Sequence, residues 1–133
     1  MKDIYLVSTF TNEWNVEFNT KIGEALESKG IVCYLPHRDT DQKGNNREIF
    51  SQDTLGIKKA SGILAVALNE SPNFGAEIGY AYGTGKPILA LTDKNHQIPL
   101  ICSGMIKEVI VVSDLDSIAE YIDLLVEKIK NLV

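Results

Sequence analysis

The sequence predicts an α/β fold, a three-layer sandwich around a five-stranded parallel sheet. Three observations carry this. Short apolar runs rich in strand formers alternate with segments of helical period. Alternating strands and helices imply parallel pairing through right-handed crossovers. The most apolar run, residues 62–68, has no polar alternation and reads as a strand covered on both faces.

Each element follows from its residues. Ile4-Tyr5-Leu6-Val7 is the first strand, ending at Ser8-Thr9. Trp14, Phe18, Ile22 and Leu26 recur every four residues, with Ala25 beside them, and predict an amphipathic helix stopping at Gly30. Ile31-Val32-Cys33-Tyr34-Leu35 is the second strand, halted by Pro36. Residues 37–47 hold almost nothing apolar and predict a loop longer than common connections, a length often tied to function. Ile49, Phe50, Asp53, Ile57 and Ala60 predict a helix, with Asn45 or Asn46 as its cap. After the third strand, residues 69–73 read as a turn. A small-residue helix follows from about Phe74 to Tyr82 and ends at Gly83 or Gly85. Pro87-Ile88-Leu89-Ala90-Leu91 is the fourth strand; residues 92–107 show no clear period; Val109-Ile110-Val111-Val112 is the fifth. Ile118, Ile122, Leu125 and Ile129 mark a final amphipathic helix. The default strand order is the flavodoxin-like 2-1-3-4-5. No repeat, low-complexity tract or linker interrupts the pattern, so residues 1–133 read as one domain.

Composition narrows the function. At 133 residues, a chain of 44% hydrophobic and 23% charged residues can hold a core and lies far from the signature of disorder. A net charge of −5 argues against a duplex nucleic-acid binder, which needs a basic stripe for phosphates. No apolar run approaches the ~20 residues needed to span a bilayer. Met1-Lys2-Asp3-Ile4 leads into a strand without the apolar region of a signal peptide, so the cytoplasm is the expected location. Cys33 and Cys102 lack metal-ligand spacing and read as buried reduced thiols.

Topology locates a site before any motif does. Ligands of open α/β sheets bind beyond the strand ends where the order reverses. Here that point lies between strands one and three, facing Ser8-Thr9-Phe10-Thr11 and residues 69–77. No Walker A loop or G-x-G-x-x-G is present, and Ser8-Thr9-Phe10-Thr11 lacks the glycine a phosphate loop needs for close backbone approach. Strand three runs into Asn69 rather than the aspartate of a phospho-receiver.

Two carboxylates stand out. Glu77 falls in or near the first turn of its predicted helix, between Gly75 and Gly79. A helix N-terminus favours the ionised form, and an ionised carboxylate in an open crevice can be a nucleophile. Position alone favours the plainer role, an acid complementing the helix dipole. Asp53 shares a helix face with Ile49, Phe50 and Ile57, where a charge is costly unless paired or set at a cleft edge. A drifting stripe that leaves Asp53 solvated explains it equally well. Two carboxylates at one crevice suit glycosyl transfer, one attacking the anomeric carbon and the other assisting the leaving group or water.

These residues resemble the nucleoside 2-deoxyribosyltransferase superfamily, which includes the 2'-deoxynucleoside 5'-phosphate N-hydrolases. The likeness runs through Ile4-Tyr5-Leu6, Tyr34-Leu35-Pro36 and Asp53-x-x-Gly56-Ile57-Lys58, and is strongest at Gly75-Ala76-Glu77-Ile78-Gly79-Tyr80-Ala81-x-x-x-Gly85-Lys86-Pro87. It implies that Glu77 is the nucleophile of a covalent deoxyribosyl intermediate, that Asp53 helps protonate the departing base, and that Tyr5 orients Glu77. It implies substrate contacts from Ser8, Thr9, Phe10, Ser71, Asn73 and Gly75, with a phosphate also able to use free N–H groups at the helix start. The loop bearing His37, Arg38, Asp39 and Gln42 falls near the base pocket, with His37 and Arg38 solvated rather than catalytic. No metal or organic cofactor is implied.

Plainer roles stand beside these. Tyr5 also fits as a core aromatic, Phe10 as a surface aromatic, and Ser71 as the opening of a turn before Pro72.

Two departures from the family pattern are visible. Transferases carry an aspartate six residues before the glutamate; here Ser71 stands there, as in the nucleotide hydrolases. The stretch Pro99-Leu100-Ile101-Cys102-Ser103-Gly104 lacks in register the Asn or Ser and Met that a neighbouring subunit sends into the site, though Ser103 or Met105 fits after a shift.

The leading expectation is transfer of a deoxyribosyl group between bases through a glutamyl intermediate. A nucleoside 5'-monophosphate N-hydrolase is the alternative, and a non-catalytic nucleotide-binding module the second. A homo-oligomer is expected, with the neighbouring subunit closing the site.

Overall fold

The computed structural model describes residues 3–132; the leaderless N-terminus read above rests partly on Met1 and Lys2, outside that span. The chain runs β1 (Asp3–Val7), α1 (Glu13–Ser28), β2 (Val32–Tyr34), α2 (Pro36–Asp39), α3 (Asn46–Lys59), β3 (Gly62–Val66), α4 (Pro72–Gly83), β4 (Ile88–Asp93), α5 (Leu100–Met105), β5 (Glu108–Val112) and α6 (Ile118–Leu132). The sheet order is β2-β1-β3-β4-β5 and every pairing is parallel, as the alternation of elements predicts.

Period-two alternation on β1 sorts the two layers. Ile4 and Leu6 join a core with Phe18, Ile22 and Leu26 of α1 and Leu125 and Ile129 of α6. Tyr5 and Val7 point the other way, into a core with Ile57 of α3 and Phe74, Ile78 and Ala81 of α4. Burying each large side chain of these sets contributes about 1.5–3 kcal/mol. Helices on both faces explain why all five residues of β3 are buried. No helix among the described residues is long and apolar enough to cross a membrane.

Helix ends follow local chemistry. Asn12 accepts from the Asn15 N–H, and Asn45 rather than Asn46 accepts from the Glu48 N–H. Gly30 (φ +87°) and Gly85 (φ +80°) take left-handed positions just past α1 and α4. At both ends paired hydrogen bonds close the helix: Ile31 N–H to the Leu26 carbonyl and Gly30 N–H to Glu27, then Lys86 N–H to Ala81 and Gly85 N–H to Tyr82. α4 thus ends at Gly83, and Gly85 supplies the left-handed residue just past its cap.

Four sequence expectations change. The predicted loop 37–47 opens with a helical turn, α2, because Pro36 suits a first helical position and the Asp39 carboxylate accepts the Leu35 N–H at 2.9 Å. α4 begins at Pro72, two residues before the predicted start, since Ser71 takes the extended N-cap conformation and Pro72 the position after it. Residues 100–105, without clear period in sequence, form the short α5. Cys33 is buried as expected, but Cys102 is half-buried on α5, against the opposite core.

Candidate active site

The crevice forms where the loops after β1 and β3 diverge, and α1 holds both. Asn15 and Asn19 are buried polar residues one turn apart on α1. The Asn19 amide donates to the Thr9 carbonyl at 3.0 Å, while its Oδ1 accepts from the Ser8 hydroxyl at 2.7 Å. The Asn69 amide donates to Asn15 Oδ1 at 3.1 Å, from a left-handed backbone at φ 55° that asparagine tolerates. The Thr9 hydroxyl oxygen accepts the Ser71 N–H at 3.0 Å, tying the two loops directly. Buried amides with partners on both loops rigidify the backbone. The sequence reading missed Asn15 and Asn19; their signal is two amides at i and i+4 beside the Trp14–Phe18–Ile22 stripe.

At the crevice floor the Tyr5 hydroxyl donates to Glu77 Oε2 at 2.5 Å. Tyr5 is wholly buried and its ring stacks on Tyr34, with centroids 5.2 Å apart. Gly56 allows this: a Cβ there would lie 3.0 Å from two Tyr5 ring carbons. On the α3 side the Thr40 hydroxyl donates to Asp53 Oδ1 at 2.5 Å, and lies 2.6 Å from the Tyr34 hydroxyl. Because Thr40 gives its proton to Asp53, Tyr34 is the donor to Thr40.

Electrostatics differ from the sequence expectation. Glu77 is the sixth residue of α4, counting from Pro72, so α4 has no acid in its first turn. The macrodipole fades within that turn, so Glu77 does not complement it. Burial dominates instead and pushes the Glu77 carboxyl up to about 7, with the Tyr5 hydrogen bond pulling down and Asp53 pushing up. Burial also raises Asp53, opposed by the Thr40 hydrogen bond. Tyr5 is held far above its ordinary value by burial, then by Glu77, and stays a proton donor.

A cavity of about 610 Å³ brings most of the predicted residues together: Ser8, Thr9, Phe10, Asp53, Ser71, Asn73 and Glu77 all line it. Tyr5 stands behind Glu77 rather than on the wall. Gly75 faces α5, where an added Cβ would meet Cys102 Sγ at 3.9 Å. Thr11, Ile49, Phe50, Thr54, Ile57, Ala76 and Tyr80 also line it, and Phe50 is 64% exposed. Of the predicted loop 37–47, Gln42 and Asn46 reach the cavity. Arg38 is engaged elsewhere, with Glu27 at 2.9 Å and Asp39 at 2.8 Å. His37 Nε2 pairs with the Thr20 hydroxyl at 3.0 Å. Ser71 caps α4 by backbone conformation alone, and its hydroxyl makes no capping bond.

A parallel sheet whose switch-point crevice buries a glutamate against a tyrosine, with an aspartate from a second helix on the same cavity, has the architecture of an α/β enzyme site for a small molecule. The chain belongs to the nucleoside 2-deoxyribosyltransferase family, whose sequence model matches residues 4–130. A relative in Thermofilum pendens, a putative 2'-deoxynucleoside 5'-phosphate N-hydrolase, is 28% identical over 131 residues, covering 90% of this chain and 92% of its own. The fold is shared with a 2-deoxyribosyltransferase of Bacillus psychrosaccharolyticus, at TM-score 0.72 and 21% identity over 87% of this chain and 89% of that one. It is shared equally with a CMP N-glycosidase of Clostridium botulinum, at TM-score 0.71 and 20% identity over 93% and 99%.

Proposed function

We propose that this protein hydrolyses the N-glycosidic bond of a deoxynucleoside 5'-monophosphate through a covalent intermediate on Glu77. The observation that carries the reading is the Tyr5–Glu77 hydrogen bond, made in the same cavity as Asp53. Tyr5 occupies Oε2 and leaves Oε1 as the attacking atom. Oε1 bonds to C1', the C1'–N bond breaks, and its electron pair goes to the base nitrogen. Asp53 delivers a proton to the base, which leaves neutral. The resulting carboxylate then takes a proton from water, whose oxygen attacks C1' and frees Glu77. Ionised Glu77 is the reactive form, and Tyr5 favours that form.

Ser71 supports the phosphate. Its hydroxyl makes no capping bond, and it stands at the N-terminus of α4, where N–H groups favour an anion. Base exchange between nucleosides is the second reading, favoured by the family match. The protein is proposed to work as a homo-oligomer in which a neighbour covers Leu100 and Ile101 of α5, exposed at 83% and 71%.

The test is a panel of deoxynucleosides and their 5'-monophosphates, each with and without a second base, read by chromatography. Free base from monophosphates is the expected result. An exchanged nucleoside with no hydrolysis replaces the first reading by the second. No product from any substrate overturns both and leaves a nucleotide-binding module, which thermal stabilisation by nucleotides without turnover would reveal.

A further inference from the structure

We propose that Thr40, held by Tyr34, is a positioning residue that reserves one oxygen of Asp53 for proton delivery to the departing base. This rests on the reading of Asp53 as the proton donor.

The geometry is a three-member chain. Tyr34 sits on edge strand β2, Thr40 in the loop after α2, and Asp53 two turns into α3. The links measure 2.6 Å from Tyr34 to Thr40 and 2.5 Å from Thr40 to Asp53 Oδ1. Thr40 is a buried polar residue, 4% exposed, inside a segment that is otherwise mostly exposed. Burying a hydroxyl is costly unless it is used. A hydroxyl has one proton; given to Asp53, it requires Tyr34 to supply the other bond. Tyr34 is itself fixed by stacking on Tyr5, the residue that holds Glu77. Both carboxylates are therefore clamped from one tyrosine pair.

The consequence is chemical. With Oδ1 accepting from Thr40, a proton on Asp53 resides on Oδ2. The rotamer is pinned too, since a turned carboxylate would leave a buried threonine hydroxyl without its acceptor. The titratable groups facing Asp53 are Tyr5 from β1, Tyr34 from β2 and Glu77 from α4. Thr40 is the one hydrogen bond that draws the Asp53 carboxyl down against its burial.

The experiment compares Thr40→Val, nearly equal in shape, with Thr40→Ser and with Tyr34→Phe. Two substrates are used: a deoxynucleoside monophosphate with an unmodified base, and p-nitrophenyl 2-deoxyribose 5-phosphate, whose leaving group needs no proton. For Thr40→Val we expect kcat on the unmodified base to fall about tenfold, part of the roughly 10²–10⁴ that general acid catalysis contributes, while kcat on the activated substrate holds. The pH limb assigned to Asp53 should move upward on the unmodified base only. Thr40→Ser should restore both, and Tyr34→Phe should show the same selective loss more weakly. Equal activity of Thr40→Val and wild type on both substrates overturns the proposal. So does an equal loss on both, which marks a structural role. If Thr40→Val does not fold, Tyr34→Phe decides by the same comparison. A wild type inactive on the unmodified base but active on the activated substrate overturns the assignment to Asp53 and this proposal, and leaves Glu77 in place. Inactivity of the wild type on both instead overturns the function proposed above, and this proposal with it.

Discussion

The Tyr5 hydroxyl reaches Glu77 Oε2 at 2.5 Å across 72 residues of sequence, joining the first strand of the sheet to α4. The bond has two effects. It fixes one carboxylate oxygen, and it favours the ionised form of an acid that burial would otherwise keep protonated.

Replacing Glu77 should abolish turnover without harming the fold. Glu77→Gln keeps an acceptor for Tyr5 and removes the proposed nucleophile, so kcat should drop by about a thousandfold or more. The same variant has a stability signature. Burial raises Glu77 from 4.5 to about 7, so wild-type stability is full below about pH 4.5 and is lost as pH rises toward 7. The loss is about 3 kcal/mol. Glu77→Gln should therefore melt roughly 10 °C above wild type at about pH 8 and show little difference at about pH 4. Calorimetry at both pH values checks this.

The pH–rate profile follows from the same group. In the proposed mechanism the attacking carboxylate must be ionised, so kcat/KM should rise with pH along a limb near 7. Tyr5→Phe removes the interaction that lowers Glu77, so its limb should lie at higher pH, with reduced kcat at all values. An unmoved limb in Tyr5→Phe would show that the hydroxyl does not tune this acid.

Gly56 links packing to chemistry. An alanine there places a Cβ 3.0 Å from Tyr5 Cδ2 and Cε2 and 3.4 Å from Tyr34 Cδ1, and the Tyr5 ring is wholly buried. Gly56→Ala should cost about 1–3 kcal/mol of stability. It should also lower kcat more than it changes KM, because Tyr5 is pushed off Glu77. Urea unfolding and steady-state kinetics on the purified variant measure the two effects separately.

Phe50 offers a test of base recognition. It lines the cavity on α3, one turn before Asp53, at 64% exposure. Its truncation removes little from the core, so Phe50→Ala should melt close to wild type. Base–aromatic stacking contributes about 1–3 kcal/mol, so KM should rise about tenfold. Unchanged KM would take Phe50 out of the base site.

Much of this arrangement is readable locally. The four-residue recurrence of Trp14, Phe18, Ile22 and Leu26 marks α1 because a helix repeats every 3.6 residues whatever surrounds it. The glycines at 30 and 85 mark helix ends because few other residues tolerate their backbone angles. Glu77 and Asp53 stand out as costly or well-framed acids. Other features are invisible at that level. Pro72 reads as part of a turn, yet it starts α4 and so moves Glu77 out of the first turn. Phe50 reads as part of an apolar helix face, and that face borders a cavity, since periodicity does not say what covers such a face. Thr40, Asn15 and Asn19 gain meaning only through partners far along the chain.

By itself, then, the sequence determined the α/β class, the order 2-1-3-4-5 and the crevice between strands one and three. Propensity, periodicity and crossover handedness are local or general rules that need no coordinates. Only the tertiary structure decided that Tyr5 meets Glu77, that Thr40 meets Asp53, and that Glu77 is governed by burial rather than by its helix. Those depend on which side chains approach within hydrogen-bond reach and how much water they lose. Both are properties of three packed layers, not of any segment within them.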